Sequence, residues 1–111
     1  MDINNAILAF GSLAQETRLK TYKMLVEFGG TGCAATVLSE KLGVPQNTLS
    51  FHLSHLSNAG LVTSMRQGRS IIYYANLEAI NGLMTFMAEN CCTAADADCI
   101  IETKINKQKI C

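Results

Sequence analysis

Residues 45–60 read PQNTLSFHLSHLSNAG, and the way this stretch folds decides the rest of the chain. Pro45 suits the start of a helix, where its missing N–H is a donor the helix could not have used internally. At about 100° per residue, Leu49, Leu53 and Leu56 then share one side. Gln46, Asn47, Ser50, Phe51 and Ser54 face away from it, and Asn58-Ala59-Gly60 ends the helix. Just upstream, residues 34–42 read as a short helix closed by Gly43, a residue at ease in the left-handed conformation a helix end requires. Two helices joined by the short Gly43-Val44 link, the second with small polar side chains on its outer half, are the arithmetic of a helix-turn-helix.

Downstream the period changes. LVTSM and SIIYYA are rich in β-branched and aromatic residues and flank Arg66-Gln67-Gly68-Arg69, which predicts a hairpin with two arginines at its tip. Toward the N-terminus, Ile3, Ala6, Ile7, Phe10 and Leu13 form one apolar stripe on a helix over 3–14. A second helix over 15–28 carries Leu19, Tyr22, Leu25 and Val26 and stops at Gly29-Gly30-Thr31-Gly32. A last helix over 76–92 carries Leu77, Ile80, Leu83, Met84 and Met87. Residues 93–111 sustain no period and read as a mobile tail. The expected fold is mainly α with a small β-hairpin: a winged helix-turn-helix domain over 1–92, followed by the tail.

A chain of 111 residues, 49% of them hydrophobic, has room for one domain. Its apolar runs are short, and MDINNAILAF lacks the basic start and cleavage site of an export signal, so the expected location is cytoplasmic with no membrane partner. In that compartment an odd set of five cysteines argues against a disulfide framework and for thiolate chemistry. No nucleophile-and-base pair or phosphate loop stands out, so no enzyme activity is expected. Net charge is zero, yet no Asp or Glu occurs between Lys41 and Leu77, a window that holds Lys41, His52, His55, Arg66 and Arg69. A surface facing phosphates needs that freedom from carboxylates; an ordinary solvated face would show it too.

Outward Gln46, Asn47, Ser50 and Ser54 can donate and accept, which reading base edges in the major groove demands, and Phe51 is apolar enough to meet a thymine methyl. Thr48 and His55 complete the candidate DNA-contacting set on this helix. Arg66 and Arg69 are expected on phosphates or in the minor groove. His52, at the flank of the leucine stripe, reads equally as a partly buried histidine hydrogen-bonded to backbone and as a DNA contact. One helix-turn-helix of this size offers few contacts, whereas a two-fold dimer reads two half-sites about one helical turn apart. The first and last helices carry the spare apolar surface, so Ile3, Ile7, Phe10, Ile80, Leu83, Met84 and Met87 are the expected interface of a homodimer on double-stranded operator DNA.

The helix order, SLAQETRLKTYKMLVE (12–27) and LSEKLGVPQNTLSFHLSHLSNAGLVTSMRQGRSIIYYA (38–75) together resemble the ArsR/SmtB family of winged-helix repressors, over roughly residues 8–99. The resemblance implies a dimeric, non-enzymatic repressor released from its operator by a metal, a metalloid or, in some members, an oxidant. The family's sensor sites differ between members. Its Cys-x-Cys at the start of the third helix would fall on Ala34 and Thr36, so that site is absent, and neighbouring Cys33 reads as a buried small residue. The Asp/His zinc site of the last helix is missing from NLEAINGLMTFMAEN, and the first cysteine of the family's sulfur-sensing pair would fall on Lys23. ENCC with a following cysteine is similar to the arsenite-responsive members, which implies a site made of Cys91, Cys92 and Cys99.

The chemistry suits that assignment. Trivalent arsenic and antimony are soft and form three bonds in a pyramid, so three thiolates satisfy As(III) or Sb(III) without a fourth ligand. Zinc usually takes four ligands; Cys111 could supply one, so a zinc, cadmium or thiol-redox sensor of the same fold remains the alternative. Adjacent cysteines on an ideal helix diverge by about 100°, so chelation by both is expected to loosen the last helical turn.

Overall fold

The computed structural model describes residues 1–94. Its elements run α1 (Ile3–Leu13), α2 (Glu16–Phe28), a 3-10 turn (Gly29–Thr31), β1 (Cys33–Ala34), α3 (Ala35–Leu42), α4 (Gln46–Asn58), β2 (Val62–Gln67), β3 (Ser70–Ala75) and α5 (Leu77–Ala88). The architecture is the expected winged helix-turn-helix. Among the described residues no helix is long and apolar enough to cross a membrane.

Local chemistry places the helix ends. The Asp2 carboxylate accepts from the Asn5 amide at 2.8 Å and opens α1, and the Gln15 side chain does the same for α2 through the Arg18 amide at 2.8 Å. α3 closes on Gly43 at φ 67°, with the Gly43 amide on the Glu40 carbonyl and the Val44 amide on that of Ser39, the paired bonds of a Schellman end. This left-handed residue turns the chain into α4. Pro45 is extended (φ −57°, ψ 146°) and sits one position before the helix as its cap, not within it as its first residue.

The core is a leucine cluster. Leu25, Leu38, Leu49, Leu53, Leu56, Leu61 and Leu83 are essentially inaccessible to water, so that α2, α3, α4 and α5 share one interior. Each such side chain stabilises the fold by about 2 kcal/mol relative to exposure. Asn76 locks the entry to α5: its amide donates to the Leu61 carbonyl at 2.8 Å, its Nδ2 to that of Gly60 at 2.9 Å, and its own carbonyl accepts from the Tyr22 hydroxyl at 3.3 Å. Burial pushes the Tyr22 phenol up to about 12.

The hairpin is present with a third strand that the sequence pattern did not announce. The sheet order is β1-β3-β2, all antiparallel, with Val62 opposite Ala75, Gln67 opposite Ser70, and Cys33 opposite Tyr73. Gly68, at φ 62°, occupies the first central position of the two-residue turn, where a hairpin favours glycine. β1 reaches β3 because Gly32, at φ 68°, lets the backbone run against Tyr74; a Cβ there would lie 2.6 Å from the ring. Cys33 is buried beside it, as expected, and burial pushes its thiol up, partly offset by Lys41.

Two expectations are corrected. α5 ends at Ala88 rather than near Cys92, so the cysteine pair lies beyond the helix. Leu83, grouped with the interface stripe, is 1% exposed in the core of its own chain and has no surface left for a partner.

Candidate nucleic-acid interface and thiol site

The leucine triplet orients α4. With Leu49, Leu53 and Leu56 inside, Gln46, Asn47, Thr48, Ser50, Phe51, Ser54 and His55 are all exposed, and together they form the outer face of the helix. Asn47 Oδ1 accepts from the Thr48 amide at 2.9 Å, which leaves its Nδ2 donor facing outward chemistry. On the wing, Arg66 lies within β2 and Arg69 in the turn, both exposed. The described surface around α4 and the wing thus offers donors, acceptors and two guanidiniums with no carboxylate among them.

His52 is partly buried, and its hydrogen-bond partner is a side chain rather than the backbone. Its Nδ1 is 3.4 Å from Arg18 Nη1, and Arg18 Nε donates to the Ser12 carbonyl at 2.6 Å. Because a guanidinium only donates, Nδ1 is the accepting nitrogen and His52 is held neutral. Burial first, then the charge of Arg18 and then His55, hold its pKa below the usual histidine value. Arg18 was not singled out in the sequence: nothing in a lone arginine on α2 signals a partner 34 residues away.

A second surface is apolar. Ala6, Ala9 and Ser12 turn inward from α1, while Ile3, Ile7, Leu8 and Phe10 remain exposed, as do Met84 and Met87 on α5. Small residues let α1 lie close to its own domain and leave its large apolar side chains outside. Between them α1, α2 and α5 leave an open apolar groove of about 450 Å³, bordered by Phe10, Leu19, Tyr22, Ile80 and Met84. Ile80 is half-buried at its edge.

Cys91 and Cys92 occupy turns after α5. The Cys91 amide donates to the Ala88 carbonyl at 3.0 Å, Asn90 and Cys92 take positive φ (58° and 64°), and the two Sγ atoms lie 3.4 Å apart. Left-handed backbone at Cys92 is unusual for a side chain with a Cβ, and it turns both sulfurs to the same side, which successive residues of a helix cannot do. Cys99 and Cys111 lie outside the described residues, as does the tail over 95–111. Cys91 is disulfide-bonded in this structure and becomes a thiol only on reduction, and among the described residues no three metal-ligating side chains cluster.

Comparison with known proteins agrees with this architecture. Residues 13–64 match the family model described as a helix-turn-helix domain. The chain is 37% identical to the arsenical resistance operon repressor of Bacillus subtilis over 83 residues, 75% of either chain. Among solved structures it is similar to an ArsR-like transcriptional regulator from Rhodococcus sp. RHA1, at 29% identity and a TM-score of 0.67 over 78% of either chain. The homodimeric winged helix-turn-helix DNA-binding domain of a possible ArsR-family regulator from Mycobacterium bovis shares the fold at 22% identity and a TM-score of 0.64, over 86% of this chain and 89% of that one.

Proposed function

The chain belongs to the ArsR/SmtB family of winged-helix repressors, and on that premise we propose that it binds a palindromic operator as a homodimer and leaves it when arsenite or antimonite is captured by Cys91, Cys92 and Cys99. It is a DNA-binding transcriptional regulator and not an enzyme. What is proposed is the effector, the residues that hold it and the way capture reaches the DNA.

The feature that carries the effector is the placement of Cys91 and Cys92 side by side just after α5, available as thiolates once the disulfide that Cys91 forms in this structure is reduced. The arsenical resistance operon repressor of Bacillus subtilis, more than a third identical, supports the same effector class. Cys99 supplies the third bond.

Dimerisation is favoured by the exposed apolar side chains of α1 and α5, which nothing in their own chain covers among the described residues. The homodimeric Mycobacterium bovis neighbour supports the same assembly. Capture acts at the end of α5. The helix has already stopped at Ala88, so no helical turn need unwind; closing a third thiol onto the pair instead pulls on a turn tied to the Ala88 carbonyl. Met84 and Met87 lie in the last turn before it, in the proposed interface, so the shift changes the spacing of the two recognition helices. The coupling required is modest, about 2.7 kcal/mol for a hundredfold loss of operator affinity.

The test is fluorescence anisotropy of a labelled palindromic duplex from the protein's own promoter, titrated with reduced protein and then with arsenite, zinc and cadmium in turn. Release by arsenite at three protected thiols per chain is the expected result. Release by zinc or cadmium, with arsenite inert, assigns the thiols to a different sensor and sinks the metalloid reading.

A further inference from the structure

The Phe51 ring stands 62% exposed in the middle of the outer face of α4, among Asn47, Ser50 and Ser54. A large apolar ring in that position holds water against it unless something apolar docks there. It also has two ring neighbours on its own helix. The His55 ring meets it at a centroid distance of 4.7 Å and an interplanar angle of 68°, and the His52 ring at 6.0 Å and 70°, both edge-to-face arrangements that aromatic rings favour. His52 is itself fixed through Nδ1 by Arg18, which is anchored on the Ser12 carbonyl. A chain of contacts from α1 thus ends on the exposed phenyl ring of the recognition helix.

We propose that Phe51, steadied by His52 and His55, reads the 5-methyl group of a thymine in each operator half-site. The inference rests on the operator-binding reading above and gives it a base. The thymine methyl is the apolar group that the major groove presents, and no other base edge gives Phe51 a matching contact. The polar residues around the ring are suited to hydrogen-bonding neighbouring bases, so the ring adds a discrimination they lack. A ring already held in place loses little rotamer freedom on docking. His52 and His55 act through Phe51 and are positioning residues.

The experiment replaces each thymine of the promoter duplex, one at a time, by deoxyuridine, which removes only the methyl. Anisotropy titrations compare the full-length protein with Phe51→Ala, an exposed position whose loss leaves the core intact. At one thymine per half-site the wild-type protein loses about fourfold in affinity, and about fifteenfold when both half-sites are changed, the worth of one buried methyl group each. Phe51→Ala binds the unmodified duplex more weakly and is indifferent to deoxyuridine at that position. His55→Ala, folded and dimeric, shows a reduced deoxyuridine penalty there, a readout that a purely structural role would not move. Binding with a flat deoxyuridine scan, or a penalty that survives in Phe51→Ala, overturns the methyl contact alone. No binding of the unmodified duplex overturns the operator reading itself, and the methyl contact with it.

Discussion

Arg18 on α2 places Nη1 3.4 Å from Nδ1 of His52 on the recognition helix. The contact requires a neutral imidazole, because protonation would set two cations against each other. His52 is therefore harder to protonate in the folded chain than in the unfolded one, where its ordinary value is about 6.5. The sign follows from linkage. With the folded pKa depressed, the stabilisation is complete above about pH 6.5 and is lost as pH falls through the folded value. Thermal unfolding followed from about pH 7.5 down to about pH 5 should show a falling Tm, and His52→Gln should flatten that part of the profile. A profile unchanged by the substitution would mean that Arg18 and His52 are not coupled.

Gly32 and Gly43 share a positive φ but not a neighbourhood. A Cβ at Gly32 meets the Tyr74 ring at 2.6 Å and Ile72 Cγ2 at 2.8 Å, whereas at Gly43 it meets open space. Gly43→Ala should cost about 1 kcal/mol, the backbone penalty alone. Gly32→Ala adds a clash in the sheet and should cost about 3 kcal/mol. Urea unfolding midpoints rank the two variants, and equal losses would contradict the close approach of β1 to β3.

Ile7 and Met87 are 63% and 62% exposed, and Leu83 only 1%. Charge placed on the first two should act on assembly. Ile7→Glu or Met87→Glu is expected to leave monomer stability within about 0.5 kcal/mol and to abolish the dimer in sedimentation equilibrium, with operator affinity lost in parallel. Leu83→Ala should instead cost about 2–5 kcal/mol in folding. Dimers that persist in both glutamate variants would place the interface elsewhere.

Cys91 and Cys92 are predicted to serve release and not DNA binding. Cys91→Ser and Cys92→Ser should each keep operator affinity and lose the roughly hundredfold weakening by arsenite. A single serine variant that fails to bind the duplex at all would make the pair structural. Cys99→Ser should retain more response to a monomethylated trivalent arsenical, which has two positions for thiols, than to arsenite, with three.

What the sequence determined by itself is what repeats over short distances. The Leu49, Leu53 and Leu56 spacing fixed both the buried and the outward face of α4, because a helical period constrains neighbours three and four residues apart. The switch to β-branched residues after Gly60 announced the wing in the same way, and ENCC was visible as a thiol pair. The tertiary structure decided which partner each face meets. One apolar stripe on α5 divides into Leu83, in its own core, and Met84 and Met87, left outside, and no period says whose core a stripe will enter. β1 is two residues long and exists because β3 has a free edge and Gly32 allows the approach. Arg18 and His52 are 34 residues apart and meet only once α1, α2 and α4 have packed. The end of α5 was misplaced for the same reason: the apolar pattern runs to Met87, but positive φ at Asn90 and Cys92 takes the backbone out of the helix, and that turn brings the two sulfurs together.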